Sequence, residues 1–180
     1  HRDGENSLDI SADLTEMSKT NVAVISAGVK SILDIGLTLE FLETQGIPVI
    51  TIGQDAFPSF YSRESGFTSP LRLNTILEIA QLLQTKWAMS LEGSVLIANP
   101  IAATDEVPNN KMEQHIIQAL AEAKKLGIKG KEVTPFLLQF IAKHTNGESL
   151  EANIALIKNN AKVAAEIAVA LASEDCKLTY

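Results

Sequence analysis

Three short apolar runs, each followed by a longer helical pattern, constrain the fold of this chain more than any other feature. The runs cover residues 21–26, 49–52 and 94–98. Short apolar runs without polar alternation are typical of strands buried on both faces, as in parallel sheets covered by helices. Helices are predicted over residues 31–44, 75–88, 110–126, 135–144 and 150–172. This alternation predicts an α/β fold with a largely parallel sheet.

Length and composition are consistent with one domain of this class. Of the 180 residues, 46% are hydrophobic, which is enough to bury a core. We therefore expect residues 1–180 to form a single α/β domain. The net charge of −7 argues against nucleic acid or an anionic membrane as a partner. The single cysteine, Cys176, favours a reducing compartment, with the cytoplasm as the default expectation and an organelle not excluded.

Lys30 follows the first apolar run and therefore stands at the carboxyl edge of the predicted sheet. Open α/β sheets bind ligands at this edge. We expect Lys30 in the first turn of the helix over residues 31–44, where the partial positive charge of the helix N-terminus disfavours a protonated amine. A neutral lysine in such a place is a nucleophile suited to Schiff-base chemistry. The alternative, an ordinary solvated lysine, stays open.

An acidic segment with the sequence Asp-Ile-Ser-Ala-Asp-Leu precedes this run at residues 9–14. Asp9 and Asp13 have two interpretations, which the sequence leaves open. They are functional carboxylates, or they are the N-cap and a first-turn acid of a short helix that ends at Met17. The aromatic loop at residues 57–70 has two interpretations as well, an active-site cover or a packed surface loop.

Together with the sequence Ala-Gly-Val-Lys-Ser-Ile-Leu-Asp at residues 27–34, the acidic segment resembles the pseudouridine-5'-phosphate glycosidases, also called the indigoidine synthase A-like family. Further similar blocks lie at residues 39–50, 57–63, 98–101, 130–138 and 149–154, so the resemblance covers nearly the whole chain. It implies a three-layer α/β/α sandwich and a homotrimer. It also implies a lyase that reversibly cleaves pseudouridine 5'-phosphate to uracil and ribose 5-phosphate.

The same resemblance assigns roles to individual residues. Lys30 matches the catalytic nucleophile, which forms a Schiff base with the sugar, and Asp9 matches the ligand of a divalent metal, with Mn²⁺ the expected ion. A carboxylate suits such a hard, hydrated cation. The resemblance places these residues in contact with the substrate: His1, Ser11, Ala12, Asp13 and Asn153.

Family members carry a sizeable region before the position of His1, including a glutamate that acts as proton donor and a lysine that helps to hold the substrate. Because this sequence opens at His1, neither position is present. We therefore expect a fold that is incomplete without an N-terminal region, and a poor catalyst in these 180 residues alone. The substrate is anionic, so local cations must outweigh the negative net charge, and the candidates are Arg2, Lys30, Arg63 and Arg72.

Two alternative functions stay open. One is a Schiff-base aldolase or related sugar-phosphate lyase, which would use Lys30 in the same chemistry on another substrate. The other is a noncatalytic fragment or assembly module of the same fold, in which Lys30 never becomes reactive.

Overall fold

Helices and strands alternate along the chain, as the apolar runs predict. In a computed structural model, the described residues are 1, 4, 8–128, 132–145 and 148–173. Their elements in chain order are α1 (Ala12–Met17), β1 (Ala23–Ser26), α2 (Ile35–Thr44), β2 (Val49–Ile52), β3 (Leu71–Leu73), α3 (Ile76–Ala88), β4 (Val95–Ala98), α4 (Asn109–Lys125), α5 (Val133–His144) and α6 (Glu148–Ala172).

The four strands form one parallel sheet in the order β1-β4-β2-β3. All four residues of β4 are buried, as expected for a central strand. The predicted strands β1, β2 and β4 are confirmed. Strand β3 was not predicted, because it is three residues long, lies at the sheet edge and carries the exposed Arg72 in its middle.

Helices cover both faces of the sheet. Successive strand residues point to opposite faces, so Val49 and Leu96 pack against Leu42 of α2 on one face. On the other face, Ile50 and Ile97 pack against helices α3 and α6. The expected three-layer α/β/α arrangement is therefore confirmed. Within the described part of the chain, no helix has the length and apolar character needed to cross a membrane.

A further group of helices covers the carboxyl edge of the sheet. Ala27 and Ile101, which follow β1 and β4, pack in one cluster with Met112 of α4, Leu137 of α5 and Leu156 of α6. We call α4, α5 and the first half of α6 the helical cap. Helix α6 is 25 residues long, and its second half packs against the sheet through Ile167. It therefore joins the helical cap to the layered part of the fold.

Helix α2 begins later than predicted. Its N-cap is Asp34, whose carboxylate accepts the Leu37 N–H at 2.9 Å. The preceding residues form a turn in which the Leu33 N–H donates to the Lys30 carbonyl at 2.8 Å. Lys30 thus lies in the loop before the helix, and the prediction that it occupies the first helical turn is wrong. The argument from the helix dipole does not apply to it.

Helix α1 also begins at a different cap. The Ser11 hydroxyl accepts the Asp13 N–H at 3.3 Å, so Ser11 is the N-cap. The interpretation of Asp9 as the cap is wrong, because Asp9 lies two residues earlier and pairs with His1 instead. Asp13 is in the first turn and the helix ends at Met17, as predicted.

Candidate functional site

Lys30 lies at the carboxyl edge of the sheet, in the loop that connects β1 to α2. Its Nζ is 5.7 Å from the centroid of the Phe60 ring, which belongs to the aromatic loop. Among the ion pairs that the described residues form, none includes Lys30. An aromatic face, rather than a carboxylate, is therefore the neighbour of this ammonium.

A close backbone contact fixes the position of this loop. The Phe60 N–H donates to the Ala27 carbonyl at 2.9 Å, and Gly28 and Ser59 form an antiparallel bridge. Gly28 has φ +86°, and a Cβ at this position would lie 2.0 Å from the Pro58 carbonyl oxygen. A side chain at residue 28 is therefore sterically excluded, and glycine lets the two loops touch two residues away from Lys30.

His1 and Asp9 are brought together by the structure. The His1 Nδ1 lies 3.0 Å from the Asp9 carboxylate, and the His1 backbone nitrogen donates to the Asp9 carbonyl at 3.1 Å. Both side chains are about one-third exposed, at 30% and 36%. Ser11, Ala12 and Asp13 follow directly, at the start of α1. Apart from Asn153, the residues matched to metal and substrate therefore lie in the segment 9–13, with His1 at its side.

The His1–Asp9 pair offers a partial ligand set for a metal ion. It supplies one carboxylate oxygen, which suits a hard divalent cation, and one imidazole nitrogen beside it. Within the described ranges, no group of three or more His, Cys, Asp and Glu side chains is positioned to hold a metal. An ion held by this pair would therefore need to keep several water ligands, as hard cations often do.

Two cavities lie beside these segments and share one residue. The first has a volume of about 260 Å³ and is lined by Ser31, Asp34, Ser59 and Glu113 among others. The second, of about 300 Å³, is lined by His1, Asp34 and apolar side chains of α2. Asp34 therefore lines both cavities, and Lys30 lines neither of them.

The two described arginines that were candidate phosphate ligands are engaged in bonds that hold loops. The Arg63 guanidinium donates to the Ile101 carbonyl and to the Gln54 side-chain oxygen, each at 2.8 Å. Arg72 pairs with Asp55 at 3.2 Å. These contacts hold the loops at this edge of the sheet, and they use two of the five N–H donors of the Arg63 guanidinium. Arg2 lies outside the described residues.

Helix α6 reaches the same edge through an amide pair. The Asn99 Nδ2, in the loop after β4, donates to the Asn160 Oδ1 at 3.0 Å. Asn153 is half-buried and lies about two turns earlier on the same side of the helix, in the helical cap. The structure thus places the Asn160 amide against the sheet edge, and the substrate contact expected of Asn153 stays a prediction.

Phe60 is the residue near Lys30 that sequence reasoning missed. The aromatic composition of the loop was visible, but no spacing rule relates a phenylalanine at residue 60 to a lysine at residue 30. The only sequence signal was the interpretation of this loop as an active-site cover.

These features define an α/β protein with a lysine at the carboxyl edge of a parallel sheet and an acidic segment that precedes strand β1. Residues 1–170 match the family described as indigoidine synthase A like protein. The chain belongs to this family.

Relatives with known names agree with this membership. A protein of Deinococcus radiodurans named pseudouridine-5'-phosphate glycosidase is 56% identical over 168 residues, which cover 93% of this chain and 54% of the relative. One of Solibacter usitatus with the same name is 52% identical, covering 95% and 57%. The crystal structure of the prealnumycin C-glycosynthase AlnA in complex with ribulose 5-phosphate superposes with a TM-score of 0.90 at 37% identity, covering 95% and 56%. The chain spans about half the length of the curated relatives it matches.

Proposed function

We propose that the protein containing this chain is a pseudouridine-5'-phosphate glycosidase, which reversibly cleaves its substrate to uracil and ribose 5-phosphate. The observation that carries the proposal is Lys30, held at the carboxyl edge of the sheet by the Gly28–Pro58 contact. The names of the relatives support it, with identities up to 56%. The sugar phosphate bound to AlnA, a structural neighbour, is consistent with a sugar-phosphate substrate.

The chemistry of a C-glycoside explains the need for a lysine. The leaving group of an O-glycoside departs with the bonding electron pair on its oxygen, and paired carboxylates suffice for the hydrolysis. In pseudouridine the bond joins two carbons. The lone pair of the Lys30 amine attacks the anomeric carbon and the ring oxygen leaves, which gives a secondary amine on a carbon still bonded to uracil. The uracil carbon then takes up a proton and the carbon–carbon bond breaks, so that its electron pair leaves with uracil while the nitrogen lone pair forms the protonated imine. Water then hydrolyses the imine and releases ribose 5-phosphate.

The other site residues bind and orient the substrate in this proposal. We assign the substrate contacts to these residues: His1, Ser11, Ala12, Asp13 and Asn153. Asp9 would hold a hydrated Mn²⁺, with His1 at its side, and the ion would supply positive charge near the anionic substrate. We assign no proton donor among the described residues, because the resemblance places that glutamate before His1. The homotrimer is proposed on the same resemblance, and light scattering of the purified protein tests it.

Trapping of the imine tests the proposal. The full-length gene product is incubated with Mn²⁺, ribose 5-phosphate and borohydride, which delivers hydride to the imine carbon and leaves a stable secondary amine. Intact mass and peptide mapping should locate one sugar-phosphate adduct on Lys30. The adduct should be lost in Lys30→Ala and kept in Lys124→Ala, which removes an exposed lysine of α4. A folded protein that forms no adduct would be evidence for a noncatalytic module.

Product analysis separates the proposal from its closest alternatives. Release of uracil from pseudouridine 5'-phosphate identifies the glycosidase. Release of acetaldehyde from deoxyribose 5-phosphate would instead identify an aldolase. The similarity to AlnA, which is named a C-glycosynthase, favours a second candidate, the formation of C-glycosides on an acceptor other than uracil. Trapped sugar without uracil turnover would support that candidate.

A further inference from the structure

Phe60 has a backbone conformation that large side chains rarely adopt. Its φ is +67°, in the left-handed region, although it is not a glycine. Residues held in this region persist when the surrounding structure imposes the conformation, and they cluster at functional sites. The conformation of Phe60 therefore needs both a cause and a use.

Contacts on both sides of Phe60 impose the conformation. Its N–H donates to the Ala27 carbonyl at 2.9 Å, and the neighbouring Ser59 N–H donates to the Ser62 carbonyl at 2.9 Å. Its ring packs edge to face on Tyr61, with centroids 4.8 Å apart and an interplanar angle of 85°. Tyr61 is 7% exposed and belongs to the cluster of the helical cap. The ring therefore has little freedom to turn away from the position it holds.

The ring is directed at the nucleophile. The Lys30 Nζ lies 5.7 Å from the ring centroid, within the distance at which an aromatic face attracts a cation. The backbone bond from Phe60 to Ala27 spans the same two loops, so the lysine and the ring are held on connected segments. A hydrophobic contact alone would not need this orientation.

We propose that Phe60 is a positioning residue for Lys30, whose ring face stabilises the protonated imine that forms on this lysine. The inference rests on the proposed Schiff-base function. When the neutral amine adds to the sugar carbonyl, one proton is taken up and water leaves, so the nitrogen carries one positive charge in the protonated imine. The neutral amine that starts the reaction has no such attraction to the ring. The ring therefore stabilises the charged imine relative to the neutral amine from which it forms.

Fluorinated phenylalanines at residue 60 test the electrostatic part of this role. Successive fluorine atoms weaken the negative ring face and change the ring size little. The full-length gene product with one, two, three or five ring fluorines at residue 60 is trapped with ribose 5-phosphate and borohydride. The adduct yield on Lys30 should fall with each increase in the number of fluorine atoms, by a total of about 2-fold to 30-fold. The variant Phe60→Trp should keep the yield, and Phe60→Leu should lower it.

Matched controls separate this role from packing. The same fluorinated residues at Phe136, a half-buried aromatic of α5, should leave the yield unchanged. Thermal unfolding of every variant identifies those that have lost the fold. If the wild-type protein forms an adduct and the series at residue 60 leaves its yield constant, the role of Phe60 is overturned. If the wild-type protein forms no adduct, the proposed function itself fails, so the two failures are distinguishable.

Discussion

Glycine at residue 28 connects backbone geometry to the proposed chemistry. The loop that carries Lys30 touches the aromatic loop only because residue 28 has no side chain. Sequence reasoning placed Lys30 at the carboxyl edge of the sheet, since a buried strand precedes it. Sequence reasoning could not predict the Gly28–Pro58 and Lys30–Phe60 contacts, because they join segments about thirty residues apart and depend on the fold around them.

Gly28→Ala should lower both stability and adduct formation. The new Cβ would meet the Pro58 carbonyl oxygen at 2.0 Å, so the loops must separate. Such overpacking costs about 1–3 kcal/mol, in addition to the strain of a positive φ. The control is Gly46→Ala, which has φ +67° and open space around the Cβ and so carries the strain alone. Urea unfolding measures the stability of the two variants, and borohydride trapping measures their adduct yield. Equal losses of stability and yield in Gly28→Ala and Gly46→Ala would contradict the steric argument.

Lys86 is a second residue with a clear structural role. It is 8% exposed, and its Nζ donates to the carbonyls of Leu91, Glu92 and Gly93 at 2.9, 2.6 and 2.7 Å. Lys86→Met keeps the aliphatic stem but leaves these carbonyls without their donor. We expect a loss of about 1–3 kcal/mol in the free energy of unfolding. Lys124→Met is the control at an exposed position, and a Lys86 variant as stable as this control would refute the role.

At the scale of elements, local capping decided which helix boundaries the sequence could predict. The predicted start of α3 at residue 75 agrees with its N-cap, Thr75, which forms a capping box with Glu78. The start of α2 was misplaced, because the apolar residues after Lys30 continue a helical spacing. Only the bond from Leu37 to Asp34 shows where that helix begins. Strand β3 is too short and too polar to give a signal.

The capping box of α3 predicts a pH dependence of stability. The Glu78 carboxylate accepts the backbone N–H groups of Asn74 and Thr75, each at 2.8 Å, and these bonds lower the pKa of Glu78. The carboxylate therefore stabilises the fold above its ordinary pKa. This contribution is lost as the pH falls from there through the lowered pKa of the folded protein.

Glu78→Gln should remove this contribution. The variant should be less stable than the wild type at neutral pH, and the difference should shrink on acidification from about pH 5 to pH 3. Glu43→Gln, at an exposed position of α2, is the control and should show no such trend. Chemical unfolding at a series of pH values measures the difference. A gap between wild type and Glu78→Gln that stays constant with pH would contradict the assignment.

On the scale of the whole molecule, helix α6 unites two parts of the fold. Its residues Ala152 and Leu156 pack in the helical cap, and Ile167 packs against the sheet. The three layers were predictable from strand-then-helix alternation. The helical cap was not, because the apolar periodicity of α4 and α5 shows which face is buried but not what covers it.

This shared helix should make the cap and the layers unfold together. Leu156→Ala removes a fully buried side chain from the cap and should cost about 2–5 kcal/mol. The single tryptophan, Trp87, packs with the sheet cluster, so its fluorescence reports on the layers. In Leu156→Ala, the fluorescence transition should move to lower urea together with the circular dichroism transition. A fluorescence midpoint that stays at the wild-type value would mean that the two parts unfold independently.

The pairing of β1 with β4 has a consequence during protein synthesis. Ala23 pairs with Val95, so the ribosome must add roughly 70 further residues before β1 meets β4. At ordinary rates of elongation this interval is about 4 to 14 s. Throughout it, the backbone groups of β1 that later bond to β4 have not yet met that partner, and chaperone binding to this segment is expected to be strongest before residue 95 leaves the exit tunnel.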